Sequence, residues 1–290
     1  MGPEMISRRC EWHDLSEIFD VGKLALIEPS YADLPDDRYT SVLTDISGDQ
    51  GRLLVDENSE VLAIAVHTGS DRWAAGCFHL RMPTARVLSW FEDLGGDIYQ
   101  EDRAVWEASV RGYYSRQIAD EVTPAMEDLN PARVGMVRSL IGEVWGKGRD
   151  ESCIDFCCGS GLGSVVLREL GYQVLSCDID VSLLSLGFST GRLLPEETMC
   201  FDSIYADEYI GITDRGLGLM FGEINKFNAD LWEQITRQIL SLTSGSIITT
   251  GTRAEADMIS RWAEELHPDT QVIENDRDPI YDRWVCISQS

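Results

Sequence analysis

Two aspartates and three glycines carry the densest chemical signal in the chain. Asp155 closes a short apolar run, Gly159, Gly161 and Gly163 follow it, and Asp178 stands fifteen residues beyond Gly163. Glycines at this spacing let the backbone turn tightly and approach a ligand where side chains would collide. A helix beginning near Leu162 offers unpaired N–H groups to the same ligand. A carboxylate at 178 can accept both hydroxyl protons of a ribose in a paired hydrogen bond. The chemistry is that of holding a ribose-bearing ligand.

The elements around these residues are in register for the task. SCIDF reads as a buried parallel strand that runs into CCGSGLG. LGSVVLREL reads as a helix closed by Gly171, and YQVLSCD as a second strand ending in Asp178. Strand, glycine loop, helix, strand and terminal acid make a βαβ unit, whose ligand lies beyond the C-terminal strand ends. The alternation starts with a helix after Pro131, where Val134, Val137, Ile141 and Val144 share a face. VSLLSLGFS is the next helix, MCFDSIYAD holds a third strand ending near Asp207, and LGLMFGEI is a fourth. A helix follows with Leu231, Ile235, Ile239 and Leu242 on one side, Asn228 as its cap and Gly245 at its end. SIITTG, RAEADMISRWAEEL and a closing antiparallel pair, TQVIEN and YDRWVCISQ, bring the strand candidates to seven.

A nicotinamide nucleotide asks for a similar loop, but its fingerprint wants glycine at the sixth position, where Ser164 stands. The stretch IDFCCGSGLGSVVLRELGYQVLSCDID instead resembles the first two motifs of the class I S-adenosyl-L-methionine (SAM)-dependent methyltransferases. The resemblance covers roughly 131–290 and is specific in those two motifs. It implies an α/β fold, a Rossmann-like seven-stranded methyltransferase sheet with helices on both faces, ending in a reversed hairpin. It also implies SAM as the cofactor. Asp155 would then lie near the methionine amino group, with Gly159, Gly161 and Gly163 packed under the cofactor and Cys157 and Ser160 in the same loop. Asp178 would hold the ribose and Ile179 the adenine. Asp207 resembles the acid beside the adenine amino group, and Asp202 competes with it because the register of the third strand is open.

Methyl transfer is an in-line displacement, so the protein chiefly aligns the acceptor and removes its proton where needed. Glu223, expected just past the fourth strand, is the candidate to orient or deprotonate the acceptor, and a solvated loop carboxylate is its plain alternative. Asn225 follows. Tyr114, beside Tyr113 on the helix preceding the core, either reaches over the cofactor as a lid or packs in a core. Trp73, Trp90 and Trp106 are expected to fill a core, and His67 and His79 to play structural parts. The fourth-strand segment reads LMFGEINKF, without the Asn- or Asp-Pro-Pro-aromatic sequence of base-modifying relatives or the Pro-Cys of their cytosine-C5 counterparts. DPIY at 278–281 precedes the last strand and reads as a turn.

Composition bounds the partners. The 290-residue chain is 43% apolar and carries 24 basic against 50 acidic side chains, a formal charge of -26. Such a field repels a phosphate backbone, so nucleic acid is not expected as a partner. A small molecule or a protein side chain is expected as the acceptor, basic or uncharged rather than phosphorylated. The eight cysteines show no Cys-x-x-Cys pair and no histidine at ligand spacing, so no metal is expected. With no secretory segment and no apolar run of eighteen, a reduced, cytoplasmic, soluble setting is expected. Residues 1–130 form an N-terminal α+β accessory region, expected to select the substrate and to lie over the strand ends, ahead of the SAM-binding domain at 131–290. In it SVLTDI, GRLLVD and EVLAIAVHTG favour strands, and TARVLSWFEDL and DRAVWEASVRGYYSRQIADEV favour helices. A protein that binds SAM as a regulatory partner without transferring methyl groups is the alternative reading.

Overall fold

A computed structural model describes residues 12–127 and 129–289; Cys10 lies outside them. The chain forms two compact units that meet in sequence between Arg116 and Gln117.

The first unit is α+β. A short helix α1 (Leu15–Ile18) precedes strand β1 (Lys23–Leu26) and helix α2 (Arg38–Thr44). Strands β2 (Gly51–Val55), β3 (Val61–Gly69) and β4 (Arg72–Cys77) form an antiparallel meander. Helix α3 (Ala85–Leu94), strand β5 (Gly96–Gln100) and the long helix α4 (Arg103–Glu121) complete it. The sheet runs β1-β4-β3-β2-β5, with parallel pairs at both edges. SVLTDI is helical rather than a strand: Tyr39 and Leu43, one turn apart, bury the same face of α2. Three strands escaped the sequence pattern, the first being the four-residue β1, KLAL. β4, RWAAGC, ends in a run of small residues, and β5 is an exposed edge that starts on a glycine pair. Trp106 is fully buried, and its indole N–H donates to His79 Nδ1 at 3.3 Å. Burial pushes the His79 imidazole down to about 3, so it is a neutral core group. The Ser70 carbonyl on one ring nitrogen of His67, and then Asp49 at 2.6 Å on the other, raise its pKa.

The second unit is α/β. Helix α5 (Ala132–Val144) leads to β6 (Ser152–Phe156), α6 (Leu162–Leu170), β7 (Gln173–Asp178), α7 (Val181–Ser189) and β8 (Thr198–Cys200). After a 3-10 turn (Ser203–Glu208) come β9 (Thr213–Gly218), α8 (Ala229–Leu242), β10 (Thr243–Thr250), α9 (Arg253–Ala263), β11 (Gln271–Glu274) and β12 (Trp284–Gln289). The seven strands lie in the order β11-β12-β10-β9-β6-β7-β8. Only β12 runs against its neighbours, antiparallel to both β10 and β11. The result is a Rossmann-like sheet flanked by helices. Val137, Ile141, Val166 and Leu167 from α5 and α6 pack with Leu217, Ile247 and Val285 of the sheet. Burying such side chains contributes about 1.5–3 kcal/mol each.

Several boundaries in this unit differ from the pattern expected. The third strand ends at Cys200, not near Asp207, because Asp202 caps the 3-10 turn by accepting the Ile204 N–H at 3.2 Å. The fourth strand ends at Gly218. The chain then turns at Met220 (φ 58°), and Phe221 folds back so that its ring occupies the space a Gly218 side chain would need. Asn228 does not cap α8 with its side chain, which instead bonds Asn225 N–H and the Glu223 carbonyl. Leu231 is 43% exposed, off the buried face, and Gly245 lies inside β10.

Candidate cofactor site

The site forms where the strand order reverses. From β6 the chain builds β7 and β8 on one side, then crosses to β9 on the other. A crevice opens at the C-terminal ends of strands at such a point. The loop after β6 takes left-handed backbone at Cys157 (φ 51°), Gly159 (φ 54°) and Gly161 (φ 87°). The alternating set therefore starts two residues before the one the glycines mark. Cys157 supplies the first turn and pays the strain that a non-glycine residue meets there.

Gly163 does a different job. It is inside α6, and a Cβ there would stand 2.6 Å from both Asp155 carboxylate oxygens. Its missing side chain lets the Asp155 carboxylate sit under the start of α6. That carboxylate is 1% exposed and accepts the Ser164 hydroxyl at 2.7 Å, along with the Ser164 backbone N–H. Ser164 Oγ in turn lies 2.8 Å from Ser176 Oγ on β7. Burial pushes Asp155 up to about 7 despite these bonds, and the Asp178 charge adds to the rise. Asp155 thus joins the loop, the helix start and the neighbouring strand.

Asp178 ends β7 with 8% exposure. Its two oxygens accept one backbone N–H each, from Gly159 and from Asp180, both at 2.8 Å. Each oxygen keeps a further lone pair. Burial raises its pKa from the ordinary carboxylate value. Ile179, the next residue, is 64% exposed, and Val181 is exposed as well. An apolar surface thus adjoins a buried acceptor, and above Gly159 a Cβ would meet nothing closer than Leu183 at 3.9 Å. Open space, an acceptor carboxylate and an exposed apolar side chain are thus grouped at one end of the sheet.

The structure brings Asp155, Cys157, Gly159, Ser160, Gly161, Gly163, Asp178 and Ile179 together in and around one loop. Asp202 follows β8 directly, whereas Asp207 sits in the 3-10 turn with its carboxylate and N–H both bonded to Gln238. Glu223 is five residues past the end of β9, exposed, with φ 55°; its carbonyl accepts both Asn225 Nδ2 and Asn228 Nδ2. The Asn225 side chain is spent in that turn, since its oxygen accepts the Phe227 N–H at 3.0 Å. Tyr114 is 4% exposed, packs edge-on against Tyr31 and donates its hydroxyl to the Glu28 carbonyl at 2.9 Å. It is a core residue of the first unit. Burial pushes the Cys157 thiol up to about 12, so at neutral pH it is no nucleophile.

The strain at Cys157 leads to a prediction. Cys157→Gly should leave stability within about 1 kcal/mol, because relief of the left-handed backbone offsets lost side-chain packing and added chain entropy. Cys157→Val should cost about 2 kcal/mol or more, since a β-branched residue is ill suited to positive φ. Urea unfolding of the two variants measures the difference, and equal losses would remove the strain argument.

No protein-family model matches this chain, and no curated protein does. Solved structures do resemble it at low identity. Magnesium protoporphyrin IX methyltransferase from Synechocystis, with bound SAM, is 14% identical with a TM-score of 0.44, over 63% of this chain and 97% of that one. A TehB-like SAM-dependent methyltransferase from Corynebacterium glutamicum is 15% identical with a TM-score of 0.40, over 63% and 97%. A 16S rRNA methyltransferase from T. thermophilus, in complex with AdoMet and guanosine, is 14% identical with a TM-score of 0.43, over 57% and 44%. These scores add nothing to what the strand order already gives. The seven-stranded Rossmann-like sheet, with one reversed strand next to last in the order, is the sheet expected from the sequence.

Proposed function

We propose that the protein is a SAM-dependent methyltransferase whose acceptor is a small molecule or a protein side chain. The observation that carries this is the Asp178 carboxylate, fixed by the Gly159 and Asp180 N–H groups at the reversal point of the sheet, with exposed Ile179 beside it. Asp178 would hold the ribose, Ile179 the adenine face, and Asp202 the base amino group. Asp202 replaces Asp207 in this assignment because it directly follows β8 and Asp207 is bonded to Gln238. Asp155 acts on the loop rather than by open contact, since it is buried behind Gly163. SAM, when bound, supplies a methyl group on a sulfonium. The protein's remaining task is to align the acceptor and take its proton.

Glu223 is our candidate for that task. Its carboxylate has no protein partner among the described residues, and it stands on the loop after β9, the strand beside β6. Glu223→Gln should reduce turnover with the true acceptor by about a hundredfold, the usual contribution of a general base, and leave SAM affinity unchanged. Labelled-methyl transfer to a panel of basic and uncharged acceptors tests the activity. Unchanged turnover in the Gln variant would remove Glu223 from the mechanism. A protein that binds SAM without transferring methyl groups is the second reading. It is favoured by one observation: the Asn225 amide holds its own turn, donating to the Glu223 carbonyl and accepting the Phe227 N–H, rather than standing free toward an acceptor.

A further inference from the structure

The Ser160–Gly161 peptide is a weak point of the cofactor loop. Glycine at 161 accepts either sign of φ at little cost, so this peptide plane can rotate unless something holds it. On one side, the Gly161 N–H donates to the Cys158 carbonyl at 2.9 Å. On the other, the Ser160 carbonyl accepts Arg192 Nε at 2.8 Å. The same guanidinium donates from Nη1 to Glu127 Oε2 at 2.8 Å.

Arg192 is itself held firmly. Gly191 takes left-handed backbone (φ 71°), and the chain doubles back so that the Arg192 and Leu193 N–H groups both donate to the Gly187 carbonyl. Side chains on Gly161 or Gly187 would collide with Leu193, at 2.7 and 2.4 Å. The back of the loop is thus closed by this segment with no room to spare. Glu127 belongs to the connector between α4 and α5, which also docks onto α7. The Ser185 hydroxyl donates to the Val122 carbonyl, Ala125 N–H to the Ser182 carbonyl, and Ile118 packs with Cys158, Leu184 and Leu193.

We propose that Arg192 is a positioning residue for the cofactor loop, fixing the Ser160–Gly161 peptide, and that Glu127 of the connector tunes cofactor affinity through it. The effect on affinity rests on the SAM reading above; the effect on the loop does not. A guanidinium suits the role because its planar fork reaches a carbonyl and a carboxylate at once, which a lysine ammonium does in no fixed geometry.

The test pairs hydrogen exchange of the ligand-free protein with SAM titration of wild type, Arg192→Ala, Arg192→Lys, Glu127→Gln and the double variant Glu127→Gln/Arg192→Ala. Exchange in the loop at 158–161 should quicken about tenfold in Arg192→Ala and Arg192→Lys, the size expected for losing one hydrogen bond, with little change in thermal midpoint. SAM affinity should fall by a similar factor in both. Glu127→Gln should weaken it less, and the double variant should be no weaker than Arg192→Ala, because the two residues act as one unit. Unchanged loop exchange in Arg192→Ala overturns the positioning role. Additive losses in the double variant, or full rescue by lysine, overturn the coupling through Arg192. If wild type exchanges as expected yet binds no SAM, the cofactor reading fails while the loop assignment stands.

Discussion

Replacing Asp178 with alanine is expected to weaken SAM binding by about two orders of magnitude or more, the scale for removing a buried, hydrogen-bonded charge from an interface. Two effects add. On the proposed reading the ribose loses its acceptor, and the Gly159 and Asp180 N–H groups lose theirs. The second effect loosens the glycine loop itself, since Gly159 is one of its left-handed positions. Asp178→Asn should fall between wild type and alanine. An amide keeps one acceptor oxygen but turns its NH2 toward a backbone N–H, which cannot accept. Calorimetric titration of the three proteins orders them. An alanine variant within a few-fold of wild type would show that the ligand does not use this carboxylate.

Asp155→Asn is expected to change how stability depends on pH. The Asp155 carboxyl titrates near 7 in the folded chain because it is buried, against about 3.9 in an unfolded one. Between those values the folded state holds a proton that the unfolded state has lost. The contribution of this group to stability is therefore full below about pH 4, falls as pH rises, and levels off above about 7. Asparagine removes the titration. Comparing urea unfolding at pH 5 and pH 8, the variant should gain on wild type by about 2 kcal/mol at the higher pH. A difference that does not move with pH would mean that Asp155 ionises normally. Asparagine at 155 places an NH2 where the Ser164 hydroxyl and N–H both need acceptors, so α6 should also lose part of its N-terminal anchoring, whatever the pH.

The βαβ unit was legible because every step of it is local. SCIDF, the glycine spacing, Gly171 at the helix end and Asp178 at the strand end each follow from neighbouring residues. The division of labour within the loop was not. Cys157 adopts a glycine conformation without being glycine, and Gly163 is needed for its contact with Asp155 rather than for its backbone angle. Both facts belong to three-dimensional packing. The third strand was read too long because it has three residues, and an aspartate two positions on caps the next turn. The fourth was read too far along the chain because Leu219, Met220 and Phe221 look like a strand, although Phe221 packs back over Gly218. Arg192 gave no signal at all, since its partners, Ser160 and Glu127, lie 32 and 65 residues away. In the first unit, Tyr39 and Leu43 on α2 carry a helical spacing that the flanking Thr, Ser and Val obscured.

The most direct measurement is calorimetric titration of the wild-type protein with SAM, S-adenosylhomocysteine and NAD. The proposed SAM site predicts saturable binding of the first two at one site per chain and none of the third. Binding of NAD alone, or of no ligand, would contradict it.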